Sequence, residues 1–315
     1  MTYKKKLITL SSLVAMLALV YTLSLIFDPA RQGSRAFAWM DPRQQHLADR
    51  IEIFGPAGNS VLIRINDVWF LSESGIELPV RQQRVQDLFA ALSRRDVYTL
   101  RSTSLEVRDN LGLSVWGASR IIVRGGIGLP LLDLLIGRPG ALGREVYLAR
   151  AYEREIYSGE DRFSFFTDWG PRVWLDFRLF PPTHAAAPAA AMVQQVELSF
   201  ALNGAAPETY MLRRSGAGWV LQGNEGLDLA NPRVDAWLRS VLEAEGEDFA
   251  AHAPSAAEGS ITLWFGDGTV RTIHLGPVED GENRRKALVS GSALVHVLSS
   301  WTVERIFMGY EHFIR

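Results

Sequence analysis

The sequence contains no cysteine, which excludes disulfides, zinc-thiolate sites and a thiol nucleophile whichever compartment the chain occupies. It also lacks a His-Glu-x-x-His motif. His46, His184, His252, His274, His296 and His312 are scattered, with no pair at the i, i+4 spacing that sets two imidazoles on one helical face for zinc. No metal or other cofactor is expected. No Gly-x-Ser-x-Gly elbow is present, and Ser60 and Ser292 lack its flanking glycines, so no nucleophile is nominated. Gly125-Gly126-Ile127-Gly128 runs into Leu129-Pro130 without a following Lys-Ser/Thr pair, which is the composition of a hairpin turn rather than of a phosphate loop. The acidic run Glu243, Glu245, Glu247, Asp248 and the turn-like Asp280-Gly281-Glu282-Asn283 have no EF-hand spacing. Charge of neither sign dominates: the formal net charge is −2, so no basic face is in view and nucleic acid is not an expected partner.

One long apolar run is present. Leu7 to Phe27 carries no charge, and as a helix it would be roughly 31 Å long, enough for the hydrocarbon core. Its Leu, Ile, Val and Phe residues contribute roughly −5 kcal/mol to insertion, which outweighs Ser11, Ser12, Thr22 and Ser24. Lys4, Lys5 and Lys6 precede it, so the positive-inside rule keeps the N-terminus in the cytoplasm and sends the rest across; Arg31 and Arg35 oppose this only weakly. A single-pass inner-membrane protein with an extracytoplasmic bulk is expected. A cleaved signal peptide is the rival, because Ala36-Phe37-Ala38 has the small-x-small form, but that site lies far beyond the apolar run.

At 315 residues the chain is long enough for two domains with a core each, and a pattern around Trp69 returns around Trp219, with a period of about 150 residues. Ile51-Glu52-Ile53, Val61 to Ile65 and Val68 to Leu71 read as strands in the first copy. Val196 to Phe200, Tyr210-Met211-Leu212 and Trp219-Val220-Leu221 repeat them. An amphipathic helix follows each tryptophan, with Val85, Leu88, Phe89, Leu92 and then Val234, Trp237, Leu238, Val241 at i, i+3, i+4, i+7. Asn231 is the expected N-cap of the second, with Pro232 at its first position. Further strands are expected at 120–123, 145–148, 261–265 and 270–275, the last pair joined by the tight turn Gly266-Asp267-Gly268-Thr269. The expected fold is therefore α+β: an N-terminal transmembrane helix (7–27), a connector (28–48), a first repeat (49–180), an Ala/Pro linker (181–192) and a second repeat (193–315). Each repeat would be a mainly antiparallel sheet with one packed amphipathic helix.

The densest aromatic stretch runs from Arg162 to Phe180. Its rings fill a core or line a groove, and Trp169, Trp174 and Phe177 are the candidate partner or ligand surface.

The strand Asp49 to Ile53, the return strand Trp69-Phe70-Leu71, Leu78-Pro79-Val80 ahead of the Val85 helix, Asn110 to Leu113, Ile136-Gly137 and Glu145 to Arg150 together resemble the bacterial membrane-anchored proteins grouped as domain of unknown function 4340. The resemblance covers most of the chain from Leu7 onward and rests on spaced hydrophobic and glycine positions. It departs where no aromatic precedes Gly112. It implies an extracytoplasmic accessory protein associated with ABC-type transporter or gliding-motility components, and it supplies no active-site residue. The expected function is thus a non-enzymatic envelope protein docking onto a transporter permease or another envelope complex. The alternatives are a glycan, lipid or peptide binding module, and a glycan hydrolase with two carboxylates facing each other across a cleft.

Overall fold

The computed structural model describes residues 16–17, 33–126, 130–140, 143–181, 189–202, 206–216, 218–278 and 283–315. The chain divides into two compact units, Met1–Leu175 and Asp176–Arg315.

In unit 1 the strands are β1 (Ser34–Phe37), β2 (Arg50–Gly55), β3 (Gly58–Ile65), β4 (Val68–Glu73), β5 (Ile76–Pro79), β6 (Asp96–Ser102), β7 (Ser119–Arg124), β8 (Leu132–Pro139), β9 (Glu145–Arg150) and β10 (Ile156–Glu160). Helix α1 (Gln82–Ser93) follows β5, α2 (Glu106–Asn110) follows β6, and α3 (Ser164–Thr167) follows β10. The strands form one antiparallel sheet in the order β1-β6-β10-β9-β8-β7-β2-β3-β4-β5. Alternation along β2 buries Ile51 and Ile53, and α1 buries Val85, Leu88, Phe89 and Leu92. A helix of this length is marginal alone and is held by that stripe.

Unit 2 contains β11 (Val193–Phe200), β12 (Glu208–Ser215), β13 (Gly218–Leu221), α4 (Asn231–Leu242), β14 (Asp248–Ala250), β15 (Gly259–Phe265), β16 (Val270–Val278), β17 (Arg284–Val289), β18 (Val295–Ser299) and α5 (Ser300–Ile306). Its sheet order is β13-β12-β11-β15-β16-β17-β18-β14. Taken from β4 to β6, the sheet of unit 1 has the same order element for element, with β5 and β1 added outside its two ends.

The correspondence extends to single contacts. Arg64 lies opposite Trp69 and Arg214 opposite Trp219, with each guanidinium over the facing indole at 5.9 and 4.6 Å. The Trp69 N–H donates to Gln82 Oε1 at 3.0 Å, and the Trp219 N–H donates to Asn231 Oδ1 at 2.6 Å. Each unit is closed by its last residues: Val80 bridges Leu175 and Leu229 bridges Ile314, while the Arg81 N–H donates to Trp174 O and the Ala230 N–H to Phe313 O.

Several expectations need correction. The expected α+β class with an N-terminal transmembrane helix gives way to two mostly antiparallel sheets: beyond α1 and α4, the described helices are a turn or two each. Among the described residues no helix is long and apolar enough to cross a membrane, so the fold gives no support to a membrane or transmembrane assignment. The expected span Leu7 to Phe27, apart from Met16 and Leu17, and Lys4 to Lys6 lie outside the described residues. From residue 33 onward the expected connector is built into unit 1, and 28–32 lies outside the described residues. Ala36 pairs with Val97 and Trp39 is buried against Phe37, Tyr98 and Tyr157, so cleavage after Ala38 would remove an edge strand. Of the expected linker, 182–188 lies outside the described residues and Ala190–Met192 forms a 3-10 turn. Asn231 is not the N-cap; Ala230 is, and the Asn231 side chain is committed to Trp219.

Candidate functional site

Of the three aromatic candidates, Trp174 is fully buried in unit 1, where its ring stacks on Phe166 with centroids 5.8 Å apart. Trp169, also in unit 1, is 68% exposed, so the two do not share a wall. Phe177 is buried in unit 2 against Phe249, centroids 5.1 Å apart, and its carbonyl accepts the Gly246 N–H. Only Trp169 offers its ring to solvent.

Unit 2 contains a groove of about 680 Å³ lined by Arg178, Phe180, Ala189 to Ala191, Arg214, Pro232, Asp235, Arg239, Leu242 and Glu243, within the size range of small-molecule sites. Four segments make it. One flank of α4 supplies Pro232, Asp235, Arg239 and the buried Leu242, spaced so that they rise along one side of the helix. Arg178 and Phe180 come from the segment preceding the 3-10 turn, the alanines from that turn, and Arg214 from β12. Its electrostatics are largely internal. Asp176, 1% exposed, receives the Arg178 guanidinium through Nε at 2.8 Å and through Nη2, and these bonds hold the Arg178 pKa above its ordinary value. Asp235 accepts from Trp219 Nε1 at 3.0 Å and from Arg214 Nη2 at 3.2 Å. Eight residues separate Asp235 from Glu243, about 12 Å of helix rise, and Asp235 is already spoken for. This is not the arrangement of an acid pair flanking a scissile bond, which needs separations of about 5–9.5 Å.

A second feature is an insertion in unit 1. Residues 103–118 connect β6 to β7 and include α2, whereas β14 and β15 of unit 2 are joined by the shorter 251–258. The insertion is pinned down. Arg108 of α2 donates to Arg150 O at 2.6 Å and to Ala151 O at 3.2 Å, and burial lowers its pKa from the ordinary arginine value. Leu113 is buried with Leu135, Ala149 and Ile156, and Ala118 and Ala151 pack on the same cluster. On this fixed base Trp116 is 98% exposed, with Val115 and Leu105 also open to solvent, and in the β9–β10 connection Tyr152 is 81% exposed.

Among the described residues no three His, Asp or Glu side chains are placed to hold a metal ion. Comparison with known proteins finds no matching family model, no similar curated protein and no similar solved structure. The sequence carried faint signals for both features. Trp116 stands in the short loop Ser114-Val115-Trp116-Gly117-Ala118, where no strand or helix period would bury it. The groove residues are spread from 178 to 243 with no motif, and its alanine wall has the composition of a linker.

Proposed function

We propose that the chain is a non-enzymatic accessory protein that docks onto a protein partner through the aromatic surface of unit 1. The partner class follows the sequence resemblance: an ABC-type transporter component or another envelope complex. The docking rests on the folded unit and not on a spanning helix. The observation that carries the reading is Trp116, 98% exposed on an insertion that unit 2 lacks. An indole held in water by a pinned loop forgoes burial worth about 2–3 kcal/mol. Trp and Tyr are the residues that most often anchor interfaces, because a large rigid ring desolvates with little loss of entropy.

The test is crosslinking in intact cells with the tagged full chain, followed by mass spectrometry of copurifying proteins. A transporter permease and ATPase recovered in stoichiometric amount with the wild type, and lost with Trp116→Ala/Tyr152→Ala at an unchanged unfolding midpoint, is the expected result. Recovery of nothing stoichiometric, or recovery indifferent to the double substitution, would overturn the reading.

A further inference from the structure

The two faces of the sheet in unit 1 are dressed differently. Phe89 of α1 meets the Trp69 ring, centroids 5.9 Å apart, and pairing sets Leu71, Leu62 and Ile51 on that same face. On the opposite face lie Val61, Ile63 and Ile65 of β3, with Phe70 and Val68 of β4 opposite the last two. Farther along this second face are Leu135 and Ala149, and there Leu113 of the 103–118 insertion packs on them. Val61, Ile63, Ile65 and Phe70 are only half-buried, an apolar stripe that water still reaches.

Unit 2 shows that the fold does not require this stripe. With Arg64 and Arg214 as matching positions, Val61, Ile63 and Ile65 answer to Met211, Arg213 and Ser215, the last two exposed. Phe54, opposite Asn59, answers to Ser199, opposite Thr209. The same face is largely polar in one unit and apolar in the other, so folding alone does not account for the apolar residues. From Val61 to Ile65 the stripe runs about 13 Å, and β2 to β4 spans about 10 Å. That is far short of the roughly 800 Å² per partner that a stable dimer of this chain would need, and it matches one helix, about 10 Å across. Helices already cover this sheet in that manner, α1 laying the four residues Val85, Leu88, Phe89 and Leu92 on the first face. The borders of the stripe differ in charge. Toward β2 and β7, Arg50 and Arg124 share the single carboxylate of Glu52, at 2.7 and 3.3 Å, which leaves a positive surplus. Toward the sheet edge, Glu77 of β5 is exposed on the same face as Phe70.

We propose that this stripe takes one amphipathic helix of the docked partner, two to three turns long, with its apolar residues on Val61, Ile63, Ile65 and Phe70, an acidic flank at Arg50 and a basic flank at Glu77. The inference rests on the docking reading for the partner, and it adds the element by which the partner is held.

The experiment uses the full chain and, as probe, a fluorescent synthetic peptide of about 16 residues, long enough to form a helix in water, with leucines at i, i+3, i+4, i+7, glutamates along one flank and lysines along the other. Anisotropy titration should show saturable binding, weakened severalfold when the two charged flanks are exchanged. Ile63→Arg/Ile65→Ser, which installs the residues unit 2 carries at these places, should weaken it about tenfold or more with no change in unfolding midpoint. No saturable binding at millimolar peptide, or equal binding by the double variant, would overturn the proposal. In the crosslinking experiment the same variant should lose the partner. A partner kept by Ile63→Arg/Ile65→Ser and lost by Trp116→Ala/Tyr152→Ala would overturn the helix site and leave the docking reading standing, whereas peptide binding with no partner recovered would overturn the docking reading and leave the helix site standing.

Discussion

His296 is 1% exposed, and its Nδ1 has no hydrogen-bond partner. Burial pushes its pKa down to about 4, opposed by a hydrogen bond to the Phe177 backbone and by the Asp176 carboxylate. The folded state therefore resists a proton that the unfolded chain accepts near pH 6.5. Stability is full above that value and is lost as pH falls through the window to about 4, by about 3 kcal/mol in all. Urea midpoints at pH 7.5 and 5 should separate more for the wild type than for His296→Leu, and equal separations would contradict this. Gly55 makes a different residue-scale prediction. A Cβ there would lie 1.8 Å from Thr167 O, so Gly55→Ala must push α3 away and should cost about 1–3 kcal/mol. Gly226, with nothing within 4 Å, is the control: Gly226→Ala should stay within about 0.5 kcal/mol in the same thermal melt.

At the scale of elements, a side-chain amide from the first residue of each long helix satisfies the backbone of the matching tryptophan, Trp69 or Trp219. Gln82 serves both backbone groups of Trp69, also donating to Trp69 O at 2.8 Å and to Val80 O, whereas Asn231 makes the single bond to the Trp219 N–H. Asn231→Ala should cost about 1 kcal/mol and Gln82→Ala more, with Asn231→Asp restoring the acceptor; chemical denaturation in which Asn231→Asp behaves like Asn231→Ala would show that the bond carries nothing.

The segments legible in the sequence were those whose period was clean. The stripes Val85 to Leu92 and Val234 to Val241 are buried as their spacing demands, and the alternating runs around Trp69 and Trp219 are strands. Strand β8 was not. Leu132-Asp133-Leu134-Leu135-Ile136 is buried throughout, because α2 and its loop cover the face that an exposed sheet would leave wet, and a continuous apolar run has no strand period to read. The Asp133 that interrupts it accepts two bonds from Arg120, at 2.7 and 2.6 Å. Short β1, β5 and β14 escaped because their pairing partners, not their own residues, fix them.

At the scale of the molecule, the sequence showed a repeat but not its edges. The aromatic run from Arg162 to Phe180 looked like one feature, yet its first part closes unit 1 as Trp301 to Ile314 closes unit 2, and Asp176 begins the second sheet's own packing. Burial, exposure and a bridging role are indistinguishable in a string of Phe and Trp, so Trp169, Trp174 and Phe177 could not be sorted in advance. The groove was equally hidden, since its residues are spread from 178 to 243. Duplication is the central claim: each half carries the whole set of strands, the helix and the closing segment that its sheet requires, and so a core of its own. The direct measurement is urea unfolding of 33–175 and 176–315 expressed separately. Each should unfold in one cooperative transition with native-like near-UV signal beforehand, and a half that is unfolded or molten without the other would contradict the account.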